Sequence, residues 1–160
     1  MEFALIIGVL VVVLVSIRWA ALTITNSQVI HSATDNPTYI TGQAGETFAN
    51  AAIPFYRSSS DQKFYKALND TAAHANVIGF STSEALANQT MCGFPMGQPI
   101  LLGAGAAPAS GTTYYLGDGA GEIVPYTDVT SAKIVTVLGI GTTGNKLDTS
   151  TFKCTGVAKP

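Results

Sequence analysis

The chain opens with an uninterrupted apolar run and then changes to short apolar segments separated by turns. Residues 3–17, FALIIGVLVVVLVSI, contain no charge, and Arg18 and Trp19 follow them. A helix of this length spans about 22 Å, short of the roughly 30 Å hydrocarbon core of a bilayer, but the stretch to Ile24 lengthens it if Arg18 reaches the headgroups. We therefore expect residues 1–24 to form a hydrophobic anchor helix, with membrane lipid as its partner through residues 3–24.

Two other interpretations of this run compete with the anchor. A β-branched run of this length is also compatible with complete burial in protein, as in an oligomer core or a capsid shell. A secretory signal is disfavoured for two reasons. The chain starts Met1-Glu2 rather than with basic residues, and Arg18-Trp19-Ala20 is a poor cleavage site. Each interpretation removes the segment from water.

The body of the chain is predicted to follow an extended linker, residues 25–43, and to contain an internal duplication. From Ala44 the pattern AGETFANAAIPFYRSSSDQKFYKALNDTAAHANVIGFST is followed, about 60 residues later, by AGAAPASGTTYYLGDGAGEIVPYTDVTSAKIVTVLGIGT. The alignment equates Phe55 with Tyr114 and Gly79 with Gly139. Each copy has two short apolar runs around a Gly/Ser/Asp turn, which predicts a hairpin, and then a separate strand that bends at its glycine.

The predicted fold class is mainly β: a small sandwich or barrel of about ten short strands, built from two related β units and preceded by the N-terminal hydrophobic helix. The β-rich domain covers residues 44–160, with repeat units at about 44–100 and 101–160. A further strand pair is expected in each copy, in TMCGFPMGQPILLG and in STFKCTGVA. Pro95 and Pro99 indicate turns or edge positions there.

The glycines of VLGIGTTG form a G-x-G-x-x-G spacing at Gly139, Gly141 and Gly144. In a dinucleotide-binding unit such a turn leads at once into a helix whose N-terminus holds the pyrophosphate. Only 16 residues follow Gly144, and they are rich in turn and cap formers. We therefore predict no nucleotide site, and a strand bend at Gly139 that corresponds to the one at Gly79.

Composition narrows the classes of function. Charged residues make up 11% of the chain, well below the usual quarter, and the net charge of −2 provides no basic field for nucleic acid. A surface so poorly charged favours association, which indicates that partners cover much of it.

Candidate chemical groups are few. His31 and His74 have no metal-ligand spacing, and Asp118 and Glu122 in GDGAGE fit a hairpin turn better than a calcium loop. Cys92 and Cys154 are predicted to be small buried residues, with a disulfide between them as the alternative. No catalytic, cofactor-binding or metal-binding residue is predicted, and no enzymatic activity or cofactor.

The aromatic residues of the body occur in strand pairs. Core and interface packing is the favoured explanation, and an oligosaccharide-binding face is the alternative. The residues concerned are Phe55, Tyr56, Phe64, Tyr65, Tyr114, Tyr115 and Tyr126.

The duplicated pattern resembles small β proteins of bacteriophage virions, of the head-decoration, head-fibre and spike type. The likeness rests on AGETFANAAIPFYRSSSDQKFYKA followed by NVIGFST, and on GTTYYLGDGAGEIVP followed by VTVLGIGT. It covers about residues 42–158. The N-terminal apolar run departs from it, because soluble decoration proteins have no need of such a segment.

The resemblance implies a structural virion protein without an active site, which decorates or stabilises a capsid, or forms part of a spike, by oligomeric β packing. Its expected partners are copies of itself in a homotrimer and the major capsid protein or another virion protein. The expected location is the virion, in its internal membrane or capsid shell. The alternative is a membrane-anchored cell-surface protein or a pilin-like filament subunit in a bacterial membrane.

Overall fold

A computed structural model describes Leu22, Ile30–His31, residues 38–102 and residues 106–160. Of the predicted anchor helix, residues 1–24, only Leu22 lies within the described residues. Leu22 is not helical and packs against the body of the chain, so the prediction of a helix up to residue 24 has no support there. No helix in the described part of the chain is long and apolar enough to cross a membrane. The prediction of a mainly β fold is confirmed, since the described chain forms two antiparallel sheets.

The described residues contain twelve strands and one short 3-10 helix, slightly more strands than the sequence indicates. In chain order these are β1 (Ile30–His31), β2 (Ile40–Gln43), β3 (Pro54–Arg57), β4 (Phe64–Lys66), β5 (Gly79–Ser81), β6 (Thr90–Pro95), β7 (Pro99–Leu101), β8 (Thr113–Leu116), β9 (Ile123–Pro125), the 3-10 helix (Tyr126–Asp128), β10 (Ile134–Thr142), β11 (Lys146–Asp148) and β12 (Lys153–Ala158).

The first sheet has the order β2-β6-β5-β3-β4. The chain that follows β2 returns to the opposite edge, where Ala44 forms a parallel bridge with Phe64 and the Gly45 amide donates to the Phe64 carbonyl at 2.8 Å. The two edge strands are thereby connected through Ala44, and the sheet curls around its own apolar interior.

The second sheet has the order β1-β7-β11-β10-β8-β9, and β12 pairs with the first half of β10. The nine-residue strand β10 is its centre, because β8 lies on one side of it and β11 and β12 share the other.

The two hairpins join their sheets in the same way. β3 lies between β4 and β5, with Phe55 opposite Gly79. β8 lies between β9 and β10, with Tyr114 opposite Gly139. These are the residues that the sequence alignment equates.

Two features of the strand arrangement differ from the sequence predictions. β6 and β7 are not a strand pair, because β6 belongs to the first sheet and β7 to the second; Pro95 and Pro99 flank the turn at which the chain changes sheets. β1 and β2 both lie in the predicted linker, residues 25–43, yet both pair with the body. The paired part of the chain therefore begins before Ala44.

Two apolar clusters form the interior. The larger joins the two sheets, with Phe80 and Phe94 from the first and Leu116, Leu138 and Leu147 from the second. The smaller lies on the other face of the first sheet and is built from Ala44, Phe48, Phe55, Phe64, Ala85 and Met91. The first sheet is therefore covered on both faces, whereas the second contributes to one cluster only.

The glycines at 79 and 139 allow neighbouring strands to approach closely. A Cβ atom on Gly79 would overlap the carbonyl oxygen of Phe94, and one on Gly139 would overlap that of Asp148. The predicted bend has a counterpart in β10, where the pairing with β8 shifts register between Val137 and Gly139. Gly144 instead lies in the β10–β11 turn with φ of 76°, and an antiparallel strand follows rather than a helix.

We expect Gly139→Ala to lower the free energy of unfolding by about 3 kcal/mol, because β11 must shift away from β10 to accommodate the methyl group. Gly144→Ala should cost only about 1 kcal/mol, since the site is open and only the left-handed backbone conformation opposes alanine. Urea unfolding of both variants measures the difference. Equal losses would contradict the close-approach explanation.

Candidate interaction surface

The second sheet presents an outward face next to its first hairpin. Residues alternate along β8, where Tyr114 and Leu116 are buried inward and Tyr115 points outward. Val124 and Val137 lie directly opposite Tyr115 on the two neighbouring strands and share its face. This row runs across three strands and is entirely apolar or aromatic.

The surface extends to both sides of that row. Val135 points outward because its neighbours Ile134 and Thr136 face the interior. Ala158 lies opposite Ile134 and shares its inward face, so the preceding residue Val157 points outward. Tyr126 joins the surface from the 3-10 helix that follows β9. We call this surface the apolar corner; its members are Tyr115, Tyr126, Val135, Val137 and Val157. Val124 lies on the same face but is only 2% exposed, so it is not part of the accessible surface.

The aromatic part of the corner is held in place by the end of the chain. The rings of Tyr115 and Tyr126 lie 5.2 Å apart at 56°, and the Lys159 ammonium lies 4.3 Å from the Tyr126 ring centre, within cation–π range. Lys159 also donates to the carbonyls of Tyr126 and Val129. These contacts fix the Tyr126 ring at the surface.

The corner combines exposure with a polar border. Tyr126 is 42% exposed and Val157 is 65% exposed. Further along the same face, Thr142, Lys146 and Asp148 point outward in register from β10 and β11. An apolar centre beside a polar border is the usual composition of a protein–protein contact surface.

The predicted aromatic residues divide between core and surface. Phe55, Phe64 and Tyr114 are buried, while Tyr56, Tyr65 and Tyr115 are half-buried and Tyr126 is exposed. The strand prediction is confirmed for Tyr115, which lies on β8, and is wrong for Tyr126, which begins the 3-10 helix. Neither Val157 nor Lys159 was predicted to take part. The alternation in TYYL, residues 113–116, was the sequence signal for an outward-facing Tyr115, and Val157 next to the C-terminal Lys159 was the signal for the other side of the corner.

The cysteines differ from expectation. Cys92 on β6 and Cys154 on β12 are both free thiols, and both are half-buried rather than buried. They lie in different sheets, which leaves the alternative disulfide unformed.

The segment GDGAGE forms the loop of the β8–β9 hairpin, closed by the Gly117 amide, which donates to the Glu122 carbonyl at 2.8 Å. Asp118 accepts hydrogen bonds from the Asn69 amide at 2.7 Å and from the Thr130 amide. Burial opposes ionisation of Asp118, but these bonds and Lys133 outweigh it and hold its pKa below the usual range. The loop is thus tied to the first half of the chain.

Of the two histidines, His31 lies in β1, and its side chain is outside the described part of the structure. The Nδ1 atom of His74 pairs with Asp70 at 2.8 Å, and its ring contacts Tyr56. Within the described ranges, no group of three His, Cys, Asp or Glu side chains is arranged to hold a metal ion.

Among the described residues, the apolar corner is therefore the surface whose composition and geometry best fit a protein–protein contact. Comparisons of the chain with family models, with curated proteins and with solved structures find no match.

Proposed function

We propose that the chain is a structural protein of a phage virion, which decorates or stabilises the capsid, or forms part of a spike, by β packing through the apolar corner. The observation that carries this proposal is the corner itself. It places large apolar side chains in water on a protein with few charges, and burying them would contribute about 25 cal/mol per Å² of apolar area.

The N-terminal run acts as the anchor in this proposal, either in a membrane or inside a protein shell. Its support is the way the chain after the run joins the body: the Leu22 amide donates to the Ile123 carbonyl at 3.1 Å, and Leu22 packs against the larger apolar cluster. Ile123 belongs to β9, the strand that pairs with β8 opposite Tyr115 of the corner. Leu22 and the corner thus lie at the same edge of the second sheet.

The body is proposed to consist of two related β units that arose by duplication, as the shared hairpin pairings support. Three copies are proposed to assemble around the corner and against a capsid protein. A symmetric arrangement multiplies the contribution of one small apolar surface.

Mass spectrometry of purified virions tests the proposal. We expect the chain among the virion proteins, and its absence from them would contradict a virion role. Carbonate extraction then separates the two anchor states, because a membrane protein stays with lipid whereas a segment buried in the shell remains with capsid protein. Isolated chains that assemble into helical fibres under the electron microscope would favour the pilin-like alternative.

Val157→Asp should reduce incorporation into virions, and self-association, by roughly tenfold or more, because it places a charge in the proposed contact; tenfold corresponds to about 1.4 kcal/mol. Leu86→Asp is the matched control, since Leu86 is 60% exposed and lies in a loop beside the smaller cluster, away from the corner. Analytical ultracentrifugation and virion composition measure both variants. Equal loss in the two variants would contradict a role for the corner.

A further inference from the structure

A cleft of about 370 Å³ lies on the first sheet's hairpin, separate from the apolar corner. Tyr56, Arg57 and Ser58–Ser60 line one side of it, and His74 and Asn76 line the other. The first group belongs to β3 and its turn. In the second group, His74 lies within a single turn in which the Ala75 amide donates to the Thr71 carbonyl at 2.9 Å, and Asn76 follows that turn. The volume is at the lower end of the range for small-molecule sites.

The walls of the cleft are held by contacts among aromatic and acidic side chains. The Tyr56 ring lies 4.9 Å from the His74 ring and 6.0 Å from the Tyr65 ring. His74 is oriented by Asp70, and the Tyr65 hydroxyl donates to Asp61 at 2.7 Å. Because each ring is fixed by a neighbour, the cleft needs little reorganisation to receive a ligand.

The polar groups at the cleft retain hydrogen-bonding capacity. The Arg57 Nε–H donates to the Gln62 carbonyl at 3.1 Å, which leaves the terminal N–H groups of the guanidinium for a ligand. His74 uses Nδ1 for Asp70 and keeps Nε2. Asn76 is exposed, and its side-chain amide has no hydrogen-bond partner among the described residues. A guanidinium, an imidazole, an amide and the serine hydroxyls thus surround one small volume.

The charge balance selects among ligand classes. The hydrogen bond from Tyr65 lowers the pKa of Asp61, and at Asp70 the bond from His74 lowers the pKa although burial opposes it. Both carboxylates are therefore ionised at neutral pH. Asp61 follows Ser58–Ser60 in the turn on one side of the cleft, and Asp70 bonds to His74 on the other side. Negative charge next to both walls disfavours a phosphate or sulfate, whereas neutral hydroxyl groups can bond to groups of either charge.

We propose that this cleft binds a neutral glycan of one or two sugar rings. The planar polar side chains Arg57, His74 and Asn76 contact the hydroxyl groups, and the Tyr56 ring provides the apolar wall against the carbon face of a sugar. This binding function is independent of the virion proposal, since it uses the other sheet and none of the corner residues.

The test uses the full-length chain, solubilised where needed in a detergent without a sugar headgroup, on an array of neutral and acidic oligosaccharides. We expect neutral glycans to bind, and NMR titration with the best of them to shift the signals of His74 and Asn76. Asn76→Ala should weaken binding roughly tenfold or more, because it removes an exposed amide that no other described residue uses; His74→Gln should weaken it as well. Thr143→Ala, an exposed change in the β10–β11 turn, should leave binding unchanged.

Three results would overturn the proposal. The first is an array on which no neutral glycan is bound. The second is binding restricted to acidic glycans or inorganic sulfate. The third is neutral-glycan binding that keeps its affinity in both Asn76→Ala and His74→Gln while circular dichroism shows the two variants folded.

Discussion

Phe55→Ala should lower the free energy of unfolding by about 3–5 kcal/mol, the usual loss for a fully buried phenylalanine. Phe55 is completely buried at the centre of the smaller cluster, with its ring 4.8 Å from the Phe64 ring and 6.4 Å from the Phe48 ring. The ring also lies against Gly79 on the neighbouring strand β5 and Gly93 on β6, the next strand beyond it, and neither position has a side chain. Its removal leaves a cavity that these glycines cannot fill.

Phe152→Ala is the control for this prediction, because Phe152 is half-buried against the larger cluster. Part of its ring remains in water, so the loss should be only about 1–2 kcal/mol. Urea unfolding monitored by circular dichroism compares the two variants. A loss at Phe55 no larger than that at Phe152 would show that the smaller cluster contributes little to the stability of the first sheet.

Asn69→Asp should cost about 3–5 kcal/mol at neutral pH, because it buries an unpaired carboxylate next to the half-buried carboxylate of Asp118. Asn69 is completely buried, and its side-chain amide donates to the Leu116 carbonyl at 3.3 Å and to the Asp118 carboxylate at 2.7 Å. Its backbone carbonyl accepts from the Ile134 amide at 2.8 Å. Asn69 thus connects the first half of the chain to two strands of the second sheet.

The pH dependence of this loss has a definite sign. Burial and the adjacent Asp118 raise the pKa of the introduced carboxyl in the folded state, so its penalty is absent below the unfolded pKa and grows as the pH rises from about 4. The unchanged chain behaves in the opposite way: the pKa of Asp118 is lowered on folding, so its contribution is present above the unfolded pKa and is lost in acid. The difference in stability between the two proteins should therefore shrink as the pH falls from 7 to 4.

Asn88→Asp is the matched control, since Asn88 is exposed and accepts a hydrogen bond from Lys63 that a carboxylate can also accept. Its effect should stay within about 0.5 kcal/mol, as for most surface changes. Unfolding curves at several pH values measure all three proteins. A loss in Asn69→Asp that does not depend on pH would contradict the contact with Asp118.

Local patterns predict much of this fold. Turn residues between short apolar runs predict both hairpins, and the alignment pairs Phe55 with Tyr114 and Gly79 with Gly139, which occupy equivalent places in the two sheets. Such features depend on neighbouring residues and on the twofold alternation of strands.

Long-range pairing is what the sequence does not reveal. The turn between β6 and β7 reads as a hairpin, but the strands on its two sides find partners in different sheets. Asn69 belongs to a residue type that is mostly exposed, yet it is completely buried. Its side-chain N–H groups bond to Leu116 and Asp118, while its Oδ1 atom has no partner among the described residues. These outcomes depend on contacts between residues about 50 positions apart or in different sheets, for which local pattern carries no signal.

For the apolar corner, too, local pattern predicts one part of the geometry and long-range contacts determine the rest. The alternation in β8 predicts that Tyr115 and Tyr114 face opposite sides, but not which of the two faces water. That choice is made by the larger cluster, which contains Tyr114. Lys159 reaches Tyr126 from the other end of the second half, so the geometry of the corner is a tertiary property.

Lysine cross-linking of purified virions, read by mass spectrometry, tests the central claim most directly. Lys159 lies at the apolar corner and Lys63 at the β3–β4 hairpin of the first sheet, so the two report on different surfaces. We expect cross-links from Lys159 to a second copy or to a capsid protein, with few from Lys63. Virions that lack the chain, or that give intermolecular links from Lys63 and none from Lys159, would contradict it.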